Sequence, residues 1–440
     1  MSGLLIVLVL IALAMFGAPL FSVLGAIGIS NFSGAGTDLV VLSEEHYKLA
    51  TNPHLVTIPL FTLAGFLMAE SKAGDRLVRV SRALLGWLPG GLGIVVVASC
   101  AFFTTFTGAS GVTIIALGGL LYPILLKERY PEGFSLGLIT SSGSIGLLFP
   151  PSLPIILYGI VGETSIDDLF VAGIAPGLLF LLVLGGWCFW TGRRVGVART
   201  PFDLREALAA SWAAKWELLV PVVVVVGIYG VPGVTGGLVT IGEASAICAI
   251  YLLVIEVFVY KDIKLVSRDP AVPDLAKVIR ESLVMVGAIM LILGVAMGMT
   301  NYLIQEQVPM QLLDAIRGHI ESRFTFLVVL TLFLLVVGCL MDIFSAIIVV
   351  VPLITPIAAE YGVHPVHLGI IFLANLEIGY LTPPVGLNLF ISSLAFNRPV
   401  VQLYKMTLPF LTLMLLALLV ITFNEDLSLT LVRWLRPSGP

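Results

Sequence analysis

In this chain of 440 residues, 58% are hydrophobic, only 11% are charged, and mean hydropathy is +1.08, against roughly 25% charged in an ordinary soluble domain. So few charges cannot clothe a water-facing surface, which excludes a soluble globular protein; the net charge of −4 itself says little about partners, and no nucleic-acid partner is expected. Apolar runs of around 20 residues without alternation also exclude a membrane barrel, leaving an all-α polytopic membrane protein whose helices satisfy their own backbone in lipid.

The N-terminal MSGLLIVLVLIALAMFG has no basic lead and predicts a retained helix at 3–17, turning near Gly17-Ala18-Pro19 into a second at 18–33. Apolar runs follow at 53–70, 88–126, 133–160, 168–192, 217–235, 238–259, 279–301, 324–358, 366–396 and 407–424. Runs 88–126 and 324–358 are too long for one crossing and too short for two full ones, so each is predicted as a re-entrant helical hairpin. With the N-terminus outside and both hairpins re-entrant, 18 of the 23 Lys and Arg fall on the cytoplasmic side. That asymmetry obeys the positive-inside rule, and counting either long run alone as a double crossing spoils it.

The charged stretches 72–82 and 305–323 keep apolar spacing and predict interfacial arms. Cys100, Cys188, Cys248 and Cys339 lie singly in apolar runs and read as inert buried thiols. Glu163, Asp167 and Asp168 read as solvated loop charge, as do His54, His319, His364 and His367 beside the spans, with His46 in an outer loop. No metal-hydrolase, redox-dithiol or nucleotide-loop pattern occurs, so neither an enzyme nor a cofactor is expected.

Two passages correspond: GSIGLLFPPSLPIILYG at 143–159 and EIGYLTPPVGLNLFISS at 377–393. One offset of 233 carries Pro150-Pro151 onto Pro383-Pro384, Pro123 onto Pro356 and Gly146 onto Gly379. In the charge-derived topology the two halves enter the membrane upside down, an inverted repeat with two hairpins and two broken helices. The chain then divides into scaffold helices at 1–52, a transport repeat at 53–160, scaffold at 161–278, a second repeat at 279–396 and a scaffold helix at 397–440.

Broken helices leave carbonyls and amides without intrahelical partners, which attract cations and anions respectively. Four such places are predicted: tips at 104–111 and 338–345, breaks at 141–151 and 375–388, each tip meeting the break of its own half. Candidate ion- or substrate-binding residues are Thr107, Gly108, Ser110, Ser142, Gly143, Ser144 and Gly146 in the first half. In the second they are Asp342, Ser345, Asn375, Gly379, Thr382, Gly386 and Asn388. Asp342 in mid-membrane points to ion coordination, or to a cap on the hairpin's second helix. Glu377 is either a coupling group or a vestibule charge, and the small polar and Gly residues serve helix packing in the alternative reading. No Lys or Arg lies in a hairpin or a break. An anionic substrate would therefore be met by helix ends, amides, hydroxyls and bound cation.

LTPPVGLNLF (381–390), with NLEIG before it and MDIFSAI at the second tip, resembles the large membrane subunit of TRAP (tripartite ATP-independent periplasmic) transporters. IPLFTLAGFLMAES (58–71), TGASG, FPPSLPIILYG and IAPGLLF (174–180) extend the resemblance over nearly the whole chain; TGASG is less serine-rich than the family's usual tip, and Phe149 stands at a usually aliphatic position. The resemblance implies a bacterial inner-membrane, multi-pass subunit importing small organic anions by an elevator motion driven by the sodium gradient. The expected substrates are dicarboxylates, sugar and keto acids, taurine and ectoine, and the expected partners a small four-helix membrane subunit and a periplasmic substrate-binding protein. Sodium is expected at Ser110, Gly143, Gly146, Asp342, Gly379 and Thr382. The alternative is a one-component sodium/dicarboxylate symporter or ion antiporter of similar architecture, whose Ser-Asn-Thr tips are absent here.

Overall fold

The computed structural model describes residues 20–35, 40, 44, 47, 51, 55–197, 201–230, 237–266, 273–307, 310–311, 320 and 322–435. The predicted helix at 3–17 with its turn, His46, His54, His319 and most of the second arm lie outside the described residues. Every named element is helical; the described residues add only one isolated bridge, Lys264 with Asp274. Seven of the described helices are long and apolar enough to cross a membrane, or nine if each bent pair is one span.

Helix α1 (Leu20–Ala35) packs on α12 (Leu275–Gln305), which also packs on α2 (Thr57–Glu70). The arm α3 (Ala73–Leu85) is amphipathic: it buries Ala73, Leu77, Val78 and Val80, and bears Asp75 in its first turn and Arg82 in its last, as the helix dipole favours. Its Arg76 is surrounded by acids from far along the chain. The guanidinium pairs with Glu217 on α10 (Lys215–Tyr229), with Glu256 at 3.1 Å and with Asp262 at 2.6 Å, and stacks on Tyr260 at 3.8 Å. Glu256 lies in a π-turn, Ile255–Val259, that ends α11 (Ile241–Val254). Burial opposes the arginine's charge, but the Asp262 hydrogen bond and the charges of Glu217, Glu256 and Asp262 hold its pKa above the ordinary arginine value.

Each long apolar run folds as two helices across a two-residue joint. The first comprises α4 (Gly91–Thr107) and α5 (Ser110–Lys127), the second, further along, α13 (Arg323–Leu340) and α14 (Ile343–Glu360). At 1.5 Å per residue, arms of 17 or 18 residues reach about 27 Å. Length alone therefore admits either a crossing or a re-entrant path. The joints are also tighter than expected, because only Gly108–Ala109 and Met341–Asp342 leave the helix.

Helix α6 (Glu132–Ser142) leads through a 3₁₀ turn (Ile145–Leu148) to α7 (Leu153–Val161), bent by 48°. Its counterpart α15 (Pro365–Gly379) is separated from α16 (Leu387–Phe396) by a non-helical stretch at 380–386. Helix boundaries obey the sequence offset: 110–127 shifts onto 343–360, and 132 shifts onto 365, the start of α15. Both Pro-Pro bonds are cis.

Between the repeats run α8 (Ile166–Val195) and the short α9 (Leu204–Ala213), bent by 67° from α10; after them come α17 (Val400–Phe423) and α18 (Glu425–Leu435). The acids expected to be loop charge instead open α8: Ser165 caps it, Asp167 and Asp168 fill its first turn, and Arg193 and Arg194 fill its last. A long helix stabilises acid at its start and base at its end. His367 also departs from expectation. It is fully buried, held by Ser428 Oγ at 3.1 Å and the Thr422 carbonyl at 3.3 Å, because α18 folds back over α15. His364 stays exposed and accepts the Val366 N–H at 3.2 Å as the cap of α15. All four cysteines are buried and free.

Candidate functional site

The first break is held by hydroxyls of α4. Thr104 Oγ1 donates to the Gly143 carbonyl at 2.8 Å and sits 2.7 Å from Thr113 Oγ1 of α5. Thr105 Oγ1 donates to the Gly146 carbonyl at 3.2 Å and to Ala101 at 2.8 Å. The closeness requires glycine: a Cβ on Gly146 would lie 2.2 Å from the Ala101 carbonyl oxygen. The Gly143 carbonyl keeps a second lone pair, whereas the Gly146 carbonyl also accepts the Phe149 N–H at 3.1 Å.

The second break repeats this with backbone alone. A Cβ on Gly379 would lie 2.6 Å from the backbone of Gly338, which stands 233 residues after Thr105 just as Gly379 stands 233 after Gly146. Gly386, with φ +60°, donates its N–H to the Cys339 carbonyl at 3.1 Å, and the Tyr380 hydroxyl accepts the Ile343 N–H at 2.5 Å. Thr382 Oγ1 donates to the Ile378 carbonyl at 3.0 Å.

Asp342 is the N-cap of α14. Its Oδ2 accepts from the amides of Phe344 and Ser345, both at 3.0 Å, and its Oδ1 accepts from the Ser345 hydroxyl. The capping reading from sequence is thus realised. Thr107 and Gly108 turn back into their own tip: Thr107 Oγ1 faces the Ala109 carbonyl at 3.5 Å, and Gly108 (φ +62°) closes α4 against Leu153.

Each tip does meet the break of its own half, but the halves are not separate clusters. Ser110 Oγ donates to Asn388 Oδ1 at 2.7 Å, and Asn388 Nδ2 reaches the Thr140 carbonyl at 3.4 Å. Thr140 Oγ1 then donates to Ser392 Oγ at 2.8 Å. Ser144 Oγ approaches the Glu377 carbonyl at 3.5 Å, and these two positions are related by the same offset of 233. The chain therefore builds one polar seam between the halves. Thr104, Thr105, Thr113, Thr140, Ser392 and Tyr380 belong to it and were not singled out from sequence. The offset itself pointed to Thr105, through Gly338.

Several buried oxygens in this seam have no protein partner within hydrogen-bond geometry: Ser141 Oγ, Ser142 Oγ, Asn375 Oδ1 and both carboxyl oxygens of Glu377. Asn375 Nδ2 donates to the Ile371 carbonyl at 2.7 Å, which turns its amide oxygen away from that bond. Glu377 is fully buried, which removes the vestibule reading of that residue. Bare oxygens clustered in an apolar surrounding suit a hard cation.

Residues 4–427 match the family described as "Tripartite ATP-independent periplasmic transporter, DctM component". The chain is 35% identical over 394 residues to the C4-dicarboxylate TRAP transporter large permease protein DctM of Pseudomonas aeruginosa, covering 89% of this chain and 88% of that one. It is 33% identical over 410 residues to the isethionate TRAP transporter permease protein DctMQ of Oleidesulfovibrio alaskensis, covering 92% of this chain and 62% of that longer protein. It is 29% identical to the ectoine TRAP transporter large permease protein TeaC of Halomonas elongata, covering 96% and 97%. Among solved structures, the Alcanivorax borkumensis YdaH transporter shares the fold with a TM-score of 0.56 over 88% of each chain, at 14% identity. With the apolar spans and the two helix breaks, these matches show that the chain belongs to the DctM-component family of TRAP transporters, as a large permease subunit spanning the inner membrane many times.

Proposed function

We propose that this subunit imports a small organic anion, a carboxylate or sulfonate, by sodium symport, and that a periplasmic binding protein delivers the substrate. A small four-helix subunit completes the permease. The observation that carries the reading is the polar seam, where two broken helices present bare oxygens and helix ends with no basic side chain among them. Sodium at the first break would use Ser110 and the free lone pair of the Gly143 carbonyl, beside Gly146, and at the second Asp342, Gly379 and Thr382. The bound cations and amides would then neutralise the substrate. The relatives named for C4-dicarboxylates, isethionate and ectoine support a small, charged substrate.

The two halves are inserted upside down relative to each other, and the hairpin-bearing part moves as an elevator against the scaffold. The shared offset in helix boundaries and the charge asymmetry support this arrangement. Proteoliposome uptake tests the proposal. Transport is expected only with the cognate small subunit, the binding protein and an inward sodium gradient together. Uptake by this chain alone would make it a one-component symporter, and uptake indifferent to sodium would remove the coupling ion.

A further inference from the structure

A cavity of about 540 Å³ opens between α6, the end of α8 and the start of α17, at a place the transport proposal does not use. Phe134, Trp187, Trp190 and Phe410 give it an apolar wall, and Arg194 and Lys405 give it positive charge. Trp187 and Trp190 stack with centroids 4.9 Å apart, and the Arg194 guanidinium sits 5.3 Å above the Trp190 ring. Among the described residues no carboxylate reaches Arg194 or Lys405 within ion-pair distance. Two further groups lack partners there. Thr191, 9% exposed, lines the cavity with a buried Oγ1 that bonds nothing, and the Trp187 Nε1–H is likewise buried and unbonded.

The position narrows the ligand. Arg194 is in the last turn of a 30-residue apolar helix, and Lys405 is five residues into α17, so both stand where spans leave the hydrocarbon. Tryptophan and basic residues together at that depth match the headgroup layer, and basic pockets between spanning helices take up anionic lipid. A free anion would use the cations but leave the aromatic wall without function. We propose that this cavity binds the headgroup of an anionic phospholipid. Arg194 and Lys405 hold its phosphate, Thr191 and Trp187 donate to its oxygens, and an acyl chain lies along Phe134 and Phe410.

The test uses the purified, delipidated full-length chain with phosphatidylglycerol, phosphatidylcholine or inorganic phosphate, read by native mass spectrometry and thermal unfolding. Phosphatidylglycerol is expected to stay bound and raise the melting temperature, while the other two do neither. The double variant Arg194→Gln/Lys405→Gln should bind phosphatidylglycerol about 30-fold more weakly, given the usual contribution of two interfacial cations. Its lipid-free melting temperature should not change. Thr191→Val keeps the shape, removes one donor, and should weaken retention of the lipid while the fold survives. Equal retention of both lipids, wild-type binding by the double variant, or equal stabilisation by inorganic phosphate would each overturn the assignment.

Discussion

Asp342 commits both carboxylate oxygens to the first turn of α14, and the proposed sodium site gives it an ionic role as well. The two roles separate on substitution. Asp342→Ala loses the cap, at about 1 kcal/mol, whereas Asp342→Asn keeps a capping oxygen and most of the stability. Sodium-driven uptake is expected to vanish in both, and full uptake in the Asn variant would reduce Asp342 to a cap. Arg76 is the other residue with large leverage. Arg76→Ala leaves Glu217 and Glu256 fully buried without a counter-charge, and should cost about 3–5 kcal/mol by thermal unfolding. Adding Glu217→Gln and Glu256→Gln should restore much of that loss. Because the folded pKa of this base is raised above its ordinary value, the guanidinium itself stays charged across the whole physiological range. Sequence exposed Asp342 because an acid amid apolar residues is costly wherever the chain folds. It hid the partners of Arg76, which lie 141 to 186 residues away, and the burial of His367, which depends on α18 folding back.

Among the elements, the paired glycines carry the clearest consequence. Gly146→Ala and Gly379→Ala each push a methyl into backbone rather than into a yielding side chain. Each should cost at least the 1–3 kcal/mol typical of overpacking and abolish uptake, measured by melting temperature and transport. The arm α3 has a second tie besides Arg76: Arg79 Nε donates to Glu206 of α9 at 2.8 Å. That hydrogen bond holds the Glu206 pKa below its ordinary 4.5. A depressed acid pKa means the tie is present above 4.5 and is lost as pH falls through the lower folded value. Amide protection factors across 204–213, taken relative to the intrinsic exchange rate at each pH, should therefore fall at low pH in the wild type and be lower in Glu206→Gln at neutral pH. The breaks were legible because consecutive prolines and glycines forbid continuous helix locally. The cross-half bonds among Ser110, Asn388, Thr140 and Ser392 were not, since nothing in a hydroxyl's neighbours along the chain says which distant helix it will face.

For the whole molecule the open quantity is orientation, and here charge speaks more clearly than length, because arms of 18 residues fit either a crossing or a re-entrant path. All four native cysteines are buried, so an impermeant maleimide should read only introduced ones. Glu128→Cys and Glu360→Cys, one after each hairpin, are expected to label from opposite faces of the membrane. Labelling of both from one face would refute the upside-down insertion.

The approach of Ser144 to Glu377 has a corollary in symmetry. When two like units associate about a twofold axis, only residues beside that axis touch their own copies. In the upside-down arrangement proposed above, corresponding positions in contact within one chain would mark the line along which the two halves face each other. On that line one half carries a hydroxyl and the other a carboxyl. A single chain permits this, whereas a dimer of identical chains must place the same side chain on both sides of its axis, two acids or none.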